Sequence, residues 1–296
     1  MTFLRKYSIF FLVDSSTSII KEMTMIKIFV DSGSSIKKEE REFYGVEVLP
    51  LKILLEDKEY LDGENLSMET FYKALIDDNQ FPKTSLPSLE DAQQRVEECI
   101  KNGNDVIILT ISSGISGTYN ALRMLFEDNP RVRVIDSKTA VGGMKILVKE
   151  ANKYLDQSLD FVEEKLQEII PRIKVLAVPE TLDYLFKGGR LSRVSWAAGT
   201  LLRIKPIIAL THTVKVAGKA MGIKAAMKFI ISALDNCDTD YPIVPSYTYN
   251  TKNLDELVAK TTPQYQAVMM EYDNIDPAIA AHWGPNAFGF IYVEKN

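Results

Sequence analysis

The chain has 296 residues, 46% of them hydrophobic and 25% charged, enough for one large globular domain or two ordinary ones. A net charge of -5 argues against a sequence-independent grip on nucleic acid, which needs a basic surface. Two cysteines outside any C-x-x-C pair and two histidines exclude a disulfide framework, a cysteine zinc site and a histidine-rich metal cluster, leaving carboxylates as the only ligands a metal could find.

Arg5 and Lys6 precede an apolar run over residues 7–13. Asp14 interrupts that run and no small-residue cleavage site follows, so it does not read as a secretion signal. No stretch reaches the roughly 20 apolar residues of a membrane span, and a cytoplasmic protein is expected. Residues 9–19 (IFFLVDSSTSI) are echoed by residues 26–36 (IKIFVDSGSSI). Met25 is taken as the start of the folded unit, with residues 1–24 as an extension.

From there strands and helices alternate. Residues 26–30 and 46–55 read as strands. Residues 88–103 read as a helix: Ser88 can cap it, Asp91 stands three residues on, and Asn102-Gly103 ends it. Residues 106–111 form a continuous apolar run, which suits a strand covered on both faces. Helix 118–126, strand 132–137 and helices 140–155 and 160–170 follow. The pattern predicts an α/β fold with a parallel sheet flanked by helices. A second unit is expected from Pro171: strand 174–179, helices 180–186 and 192–202, strand 205–210, helix 222–234 and strands 243–247, 267–271 and 287–293. The domains are therefore read as 25–170 and 171–296.

Ser112, Ser113, Gly114, Ser116, Gly117 and Thr118 fall between the strand at 106–111 and the next helix. In open α/β sheets ligands collect at that end of a strand, where glycines admit backbone N–H groups and a helix N-terminus favours an anion. The same residues would equally make a plain capped turn. Gly114-Ile115-Ser116-Gly117 misses the G-x-S-x-G spacing of a nucleophile elbow. Thr84 and Ser85 lie in PKTSLPS, which reads as a stiff extended loop. Asp31, Ser32 and Ser34 follow the first strand, at a ligand edge or in an Asx turn. Lys187-Gly188-Gly189-Arg190 joins a helix stop to a cation. His282 reads as a loop residue before the last strand, and His212 as an exposed strand end.

Seven segments, in order, carry a resemblance: IFVDSGSS, KTSLPS, LTISSGISGTYN, VIDSKTAVGG, LDYLFKGGRLS, LLRIKPII and HWGPNAFG. Together they resemble the DegV family of bacterial fatty-acid-binding proteins, from about residue 26 to the C-terminus. The resemblance implies two α/β domains with a long acyl chain between them. It implies a non-catalytic binding subunit that takes a fatty acid from the membrane surface. That subunit presents the carboxylate to an ATP-dependent fatty-acid kinase for acyl-phosphate formation and phospholipid synthesis. The family's carboxylate contacts fall on Thr84, on Ser112, Ser113 and Gly114, and on His282. Arg190 matches an arginine associated with phosphoryl transfer or partner contact. Leu86, Asn286 and Met221 stand where the family commonly has Gln, Gly and Arg, while Lys219 is kept.

No cofactor and no nucleic acid are implied, and no G-x-x-x-x-G-K-[ST] loop for ATP is present. A lipid sensor without a kinase role, or a serine acyl hydrolase, are the competing readings. Phe29, Ile115, Trp196, Leu201 and Phe288 are named as tunnel candidates, although for any one of them ordinary core is the favoured reading. A buried tail of about fourteen methylenes at ~0.8 kcal/mol each would contribute on the order of 11 kcal/mol before the cost of immobilisation.

Overall fold

The computed structural model describes residues 25–199 and 204–296, so residues 1–24 and Leu201 lie outside the described residues. Strand β1 (Ile26–Asp31) leads through a helical turn, α1 (Arg41–Tyr44), to the parallel strand β2 (Val46–Leu49). The single strand expected over 46–55 is in fact two. Pro50, which has no N–H to donate, follows directly after β2, and the chain leaves the sheet there. Strand β3 (Lys52–Leu55) pairs antiparallel with β4 (Lys58–Leu61) and, beyond α2 (Met68–Tyr72), with β5 (Lys83–Ser85). Thr84 therefore sits on a short strand opposite Ile53, not in an open loop.

Helix α3 (Leu89–Lys101) begins as expected, with Ser88 Oγ accepting the Asp91 N–H at 3.2 Å. Strand β6 (Asp105–Thr110), α4 (Thr118–Leu125) and β7 (Val132–Asp136) complete a parallel sheet ordered β2-β1-β6-β7. Alternate side chains divide between its faces. Phe29, Val106 and Ile108 pack outward under α3 and α4, while Ile28, Val30, Ile107 and Leu109 face the interior. Helix α5 (Gly142–Ala151) is buried nearly all round, because it lies between two sheets. Its Lys145 is held by Glu40 at 3.0 Å and Asp273 at 3.1 Å. Helix α6 (Leu159–Ile169) closes the first unit.

The second unit contributes β8 (Ile173–Val178), α7 (Asp183–Lys187), α8 (Arg193–Gly199), and the hairpin β9 (Ile204–Thr211) and β10 (Thr213–Met221). Then come α9 (Ile223–Ala233), β11 (Val244–Tyr247), α10 (Lys252–Tyr265), β12 (Asp273–Asn274), α11 (Pro277–Trp283) and β13 (Phe288–Val293). The strands form one mixed sheet, ordered β10-β9-β8-β13-β11-β12. The strand expected over 267–271 is absent: Gln266–Val268 is a 3-10 turn. Helices α9 and α10 cover the outer face of this sheet. Its inner face shares one apolar cluster with the first unit, joining Ile28 and Leu109 to Val175, Leu210 and Ile291.

Candidate functional site

The sequence Asp276-Pro277 starts α11 with a proline in the first turn, where the missing N–H costs nothing. His282 is thus in the last turn of a buried helix, not in a loop. Its Nε2 lies 2.9 Å from Thr84 Oγ1. Its Nδ1 is buried with no hydrogen-bond partner in the described residues. A buried lone pair without a donor costs less than a buried N–H without an acceptor, which places the ring proton on Nε2. His282 Nε2–H then donates to Thr84, and the Thr84 hydroxyl hydrogen is left to point elsewhere. Burial, with the nearby Arg190 charge, pushes the His282 pKa down to about 3, so the ring is neutral at physiological pH.

Gly188 makes room for this ring. A Cβ on it would lie 2.1 Å from His282 Nδ1. Arg190 follows two residues on, half-buried, donating through Nε to the Ile115 carbonyl at 3.1 Å and through Nη1 to the Gly188 carbonyl.

Thr84, Arg190 and His282 line one cavity of about 250 Å³. Ser85, Ser116 and Gly117 complete its polar end, and Leu51, Leu86, Ile111, Ile115, Leu185, Val214, Ala278, Ile279 and Trp283 make the rest apolar. The lining holds the Arg190 cation and no carboxylate. A polar end with one positive charge and an apolar body suit a small anionic head on a hydrocarbon.

Ser112, Ser113 and Gly114 do not line this cavity. Their polar atoms are taken by neighbouring elements. Ser113 donates its hydroxyl to Asp136 Oδ2 at 2.5 Å and its N–H to Asp136 Oδ1 at 2.9 Å. Ser112 Oγ donates to the His212 carbonyl at 2.6 Å. Gly114 lies against the same carbonyl, which a Cβ would meet at 2.2 Å. His212 is therefore not a plain strand end: it forms the tip of the β9–β10 hairpin, with φ of 78°, and supports the serine turn. Ser112 Oγ at 3.3 Å and Asp136 Oδ2 at 3.9 Å both approach His212 Nδ1. A serine hydrolase relay needs opposite nitrogens of the ring, so this trio cannot pass a proton.

Asp31 and Ser32 also turn away from the cavity. Asp31 accepts the Ile111 and Gly33 N–H groups, and burial raises its carboxyl to about 7. Ser32 donates to Asp62 at 2.7 Å, and Asp62 accepts the Ala278 N–H at 3.0 Å. Among the tunnel candidates, Ile115 lines the cavity, and Phe288 lines a second cavity on the inner sheet face. Phe29 is outer-face core, and Trp196 stacks on Phe186 with its indole N–H bound to Asp183. Sequence reasoning missed Trp283 and Ile279 as lining residues; the signal was the short apolar helix PAIAAHW after Asp276. Among the described residues no cluster of His, Cys, Asp and Glu is placed to hold a metal ion. None of their helices is long and apolar enough to cross a membrane.

Two α/β units that close over a cavity charged at one end and apolar beyond it define a two-domain ligand-binding fold. Residues 25–295 match the model described as "Uncharacterised protein, DegV family". A DegV domain-containing protein of Clostridium acetobutylicum is 32% identical over 285 residues, covering 92% of this chain and all of that one. The chain belongs to the DegV family. Solved relatives include a fatty-acid-binding DegV family protein from Thermus thermophilus, 28% identical with a TM-score of 0.80 over 92% of this chain and all of that one. A stearic-acid-binding protein from Eubacterium ventriosum is 26% identical, again with a TM-score of 0.80, over 92% and 99%.

Proposed function

We propose that this protein holds a long-chain fatty acid and presents its carboxylate to a partner ATP-dependent kinase subunit, the phosphoryl transfer being the partner's. The observation that carries the reading is the lining of the 250 Å³ cavity, one cation and no anion among uncharged polar groups at one end and apolar side chains over the rest. The carboxylate sits among Thr84, Arg190 and the Ser116-Gly117 backbone, with His282 orienting the threonine. Ser112, Ser113 and Gly114 hold the turn behind it. Charge-assisted hydrogen bonds of this kind contribute roughly 1.5–3 kcal/mol each, and they offset part of the desolvation of the anion. The Thermus and Eubacterium relatives, named for fatty-acid and stearic-acid binding, support the same ligand class.

The partner and a transient membrane contact are supported by charge. Residues 184–234 carry nine Lys and Arg and no Asp or Glu, in a chain of net charge -5. This stretch includes Arg190 at the cavity and reaches Met221, 74% exposed at the end of β10. A basic stretch of chain with an exposed apolar side chain suits an acidic protein surface or an anionic bilayer. A cytoplasmic location fits both.

Lipid extracted from the purified protein and weighed by mass spectrometry tests the ligand; one free fatty acid per chain is expected. An empty cavity that also takes up no added fatty acid would remove the reading. Adding a cognate kinase subunit with ATP then separates carrier from sensor, since only a carrier gives acyl phosphate.

A further inference from the structure

Among the described residues, Trp283 is the one shared by the cavity at Thr84 and His282 and the second cavity, of about 20 Å³. That second space is almost wholly apolar. Val175, Leu210 and Ile291 of the inner sheet face line it, with Ala140, Val141 and Ile275 among its further apolar groups. Trp283 is itself 8% exposed and ends α11 directly beside His282.

The volumes limit what fits on each side of the indole. An apolar cavity of ~150 Å³ holds a benzene, six carbons. By that scale the 250 Å³ of the first cavity takes about ten non-hydrogen atoms, a carboxylate and some seven further carbons. The second cavity, as it stands, has room for about one water molecule. A chain the length of octanoate fits in front of Trp283. The outer half of a palmitate does not, and the second cavity is the apolar space that continues from it.

We propose that the Trp283 indole divides the acyl site and sets the accepted chain length. Short acids are held on the head-group side. Longer acids are held by turning the indole aside and entering the space against Val175, Leu210 and Ile291. The side chain thus makes each long acid bear the cost of moving a buried ring, and acts as a specificity residue. This inference rests on the fatty-acid reading above.

The test uses the full chain stripped of lipid, with dissociation constants for octanoate and palmitate. In W283A the palmitate-to-octanoate affinity ratio is expected to rise by about tenfold or more, with a smaller rise in W283L and W283F within about threefold of the wild type. An unchanged ratio in folded W283A or W283L overturns the proposal, since a merely structural tryptophan would weaken both acids alike. W283L decides the matter if W283A does not fold. Wild-type protein that binds neither acid would instead refute the fatty-acid reading.

A second readout does not depend on removing Trp283. The chain has two tryptophans, so W196F leaves Trp283 as the sole emitter. Palmitate brominated at mid-chain is expected to quench it; binding of that acid without quenching overturns the proposal.

Discussion

Thr84 is a better donor than its neighbours because its hydrogen is released by His282. The imidazole N–H satisfies one lone pair of the hydroxyl, and the hydroxyl hydrogen is left uncommitted by that bond. Ser113 is in the opposite position, with its hydrogen committed to Asp136 at 2.5 Å. T84A is therefore expected to weaken palmitate binding by about tenfold, the loss of one charge-assisted hydrogen bond, and S113A by less than about threefold. Calorimetric titration of both variants checks this. A larger effect in S113A would move the head group to the serine turn. The difference was not legible in ISSGISG, where three neighbouring serines look alike. What separates them is Asp136, which arrives from the end of the next strand.

Among the elements, the turn after α7 shows how two adjacent glycines carry different loads. Gly188 backs onto the His282 ring, whereas Gly189 has open space around it and φ of 73°. G188A is expected to push the imidazole from Thr84 and reduce palmitate affinity by about tenfold or more. G189A is expected to leave that affinity near wild type and to lower stability by ~1 kcal/mol through its left-handed backbone. Binding and urea titrations on both variants separate these effects; equal losses of affinity would deny Gly188 its role. The Gly-Gly-Arg turn was visible in the sequence as a helix stop, but its use was not, because His282 comes from 94 residues further along (282 - 188). The parallel sheet was read correctly from runs such as residues 106–111, which are apolar because both faces are covered. Strand β10 was overlooked. Gly218 and Ala220 are too small to extend the apolar stripe begun by Val214 and Val216, and the sheet register shifts between Val216 and Gly218. Helix α10 was hidden by Pro263 and its paired threonines, and α11 by its length of seven residues.

At the scale of the whole molecule, Asp62 ties three parts together. It receives Ser32 from the end of β1 and Ala278 from the start of α11, and it follows β4 in the small sheet that carries Thr84. Burial, and then the Asp276 charge, raises its carboxyl to about 8, while the unfolded chain ionises near 3.8. The folded protein thus holds a proton that the unfolded chain has released. The stability gained from it is complete below about pH 4 and is lost as pH rises through about 8. D62N mimics the protonated form and is expected to reduce the fall in unfolding free energy between about pH 5.5 and 8.5 by on the order of 1–3 kcal/mol. His282, whose opposite contribution runs up to about pH 6.5, and Asp31, whose carboxyl is also raised by burial to about 7, are the same in both proteins and cancel in the comparison. Urea titrations at the two pH values check this, and an unchanged fall would mean that Asp62 is ionised when folded. The Thr84–His282 bond spans 198 positions of sequence. During synthesis the first of these residues must wait for about two-thirds of the polypeptide to emerge before it meets its mate. A nascent or prematurely terminated product lacking α11 has Thr84 without its imidazole, so the pair is assembled only after α11 has been made.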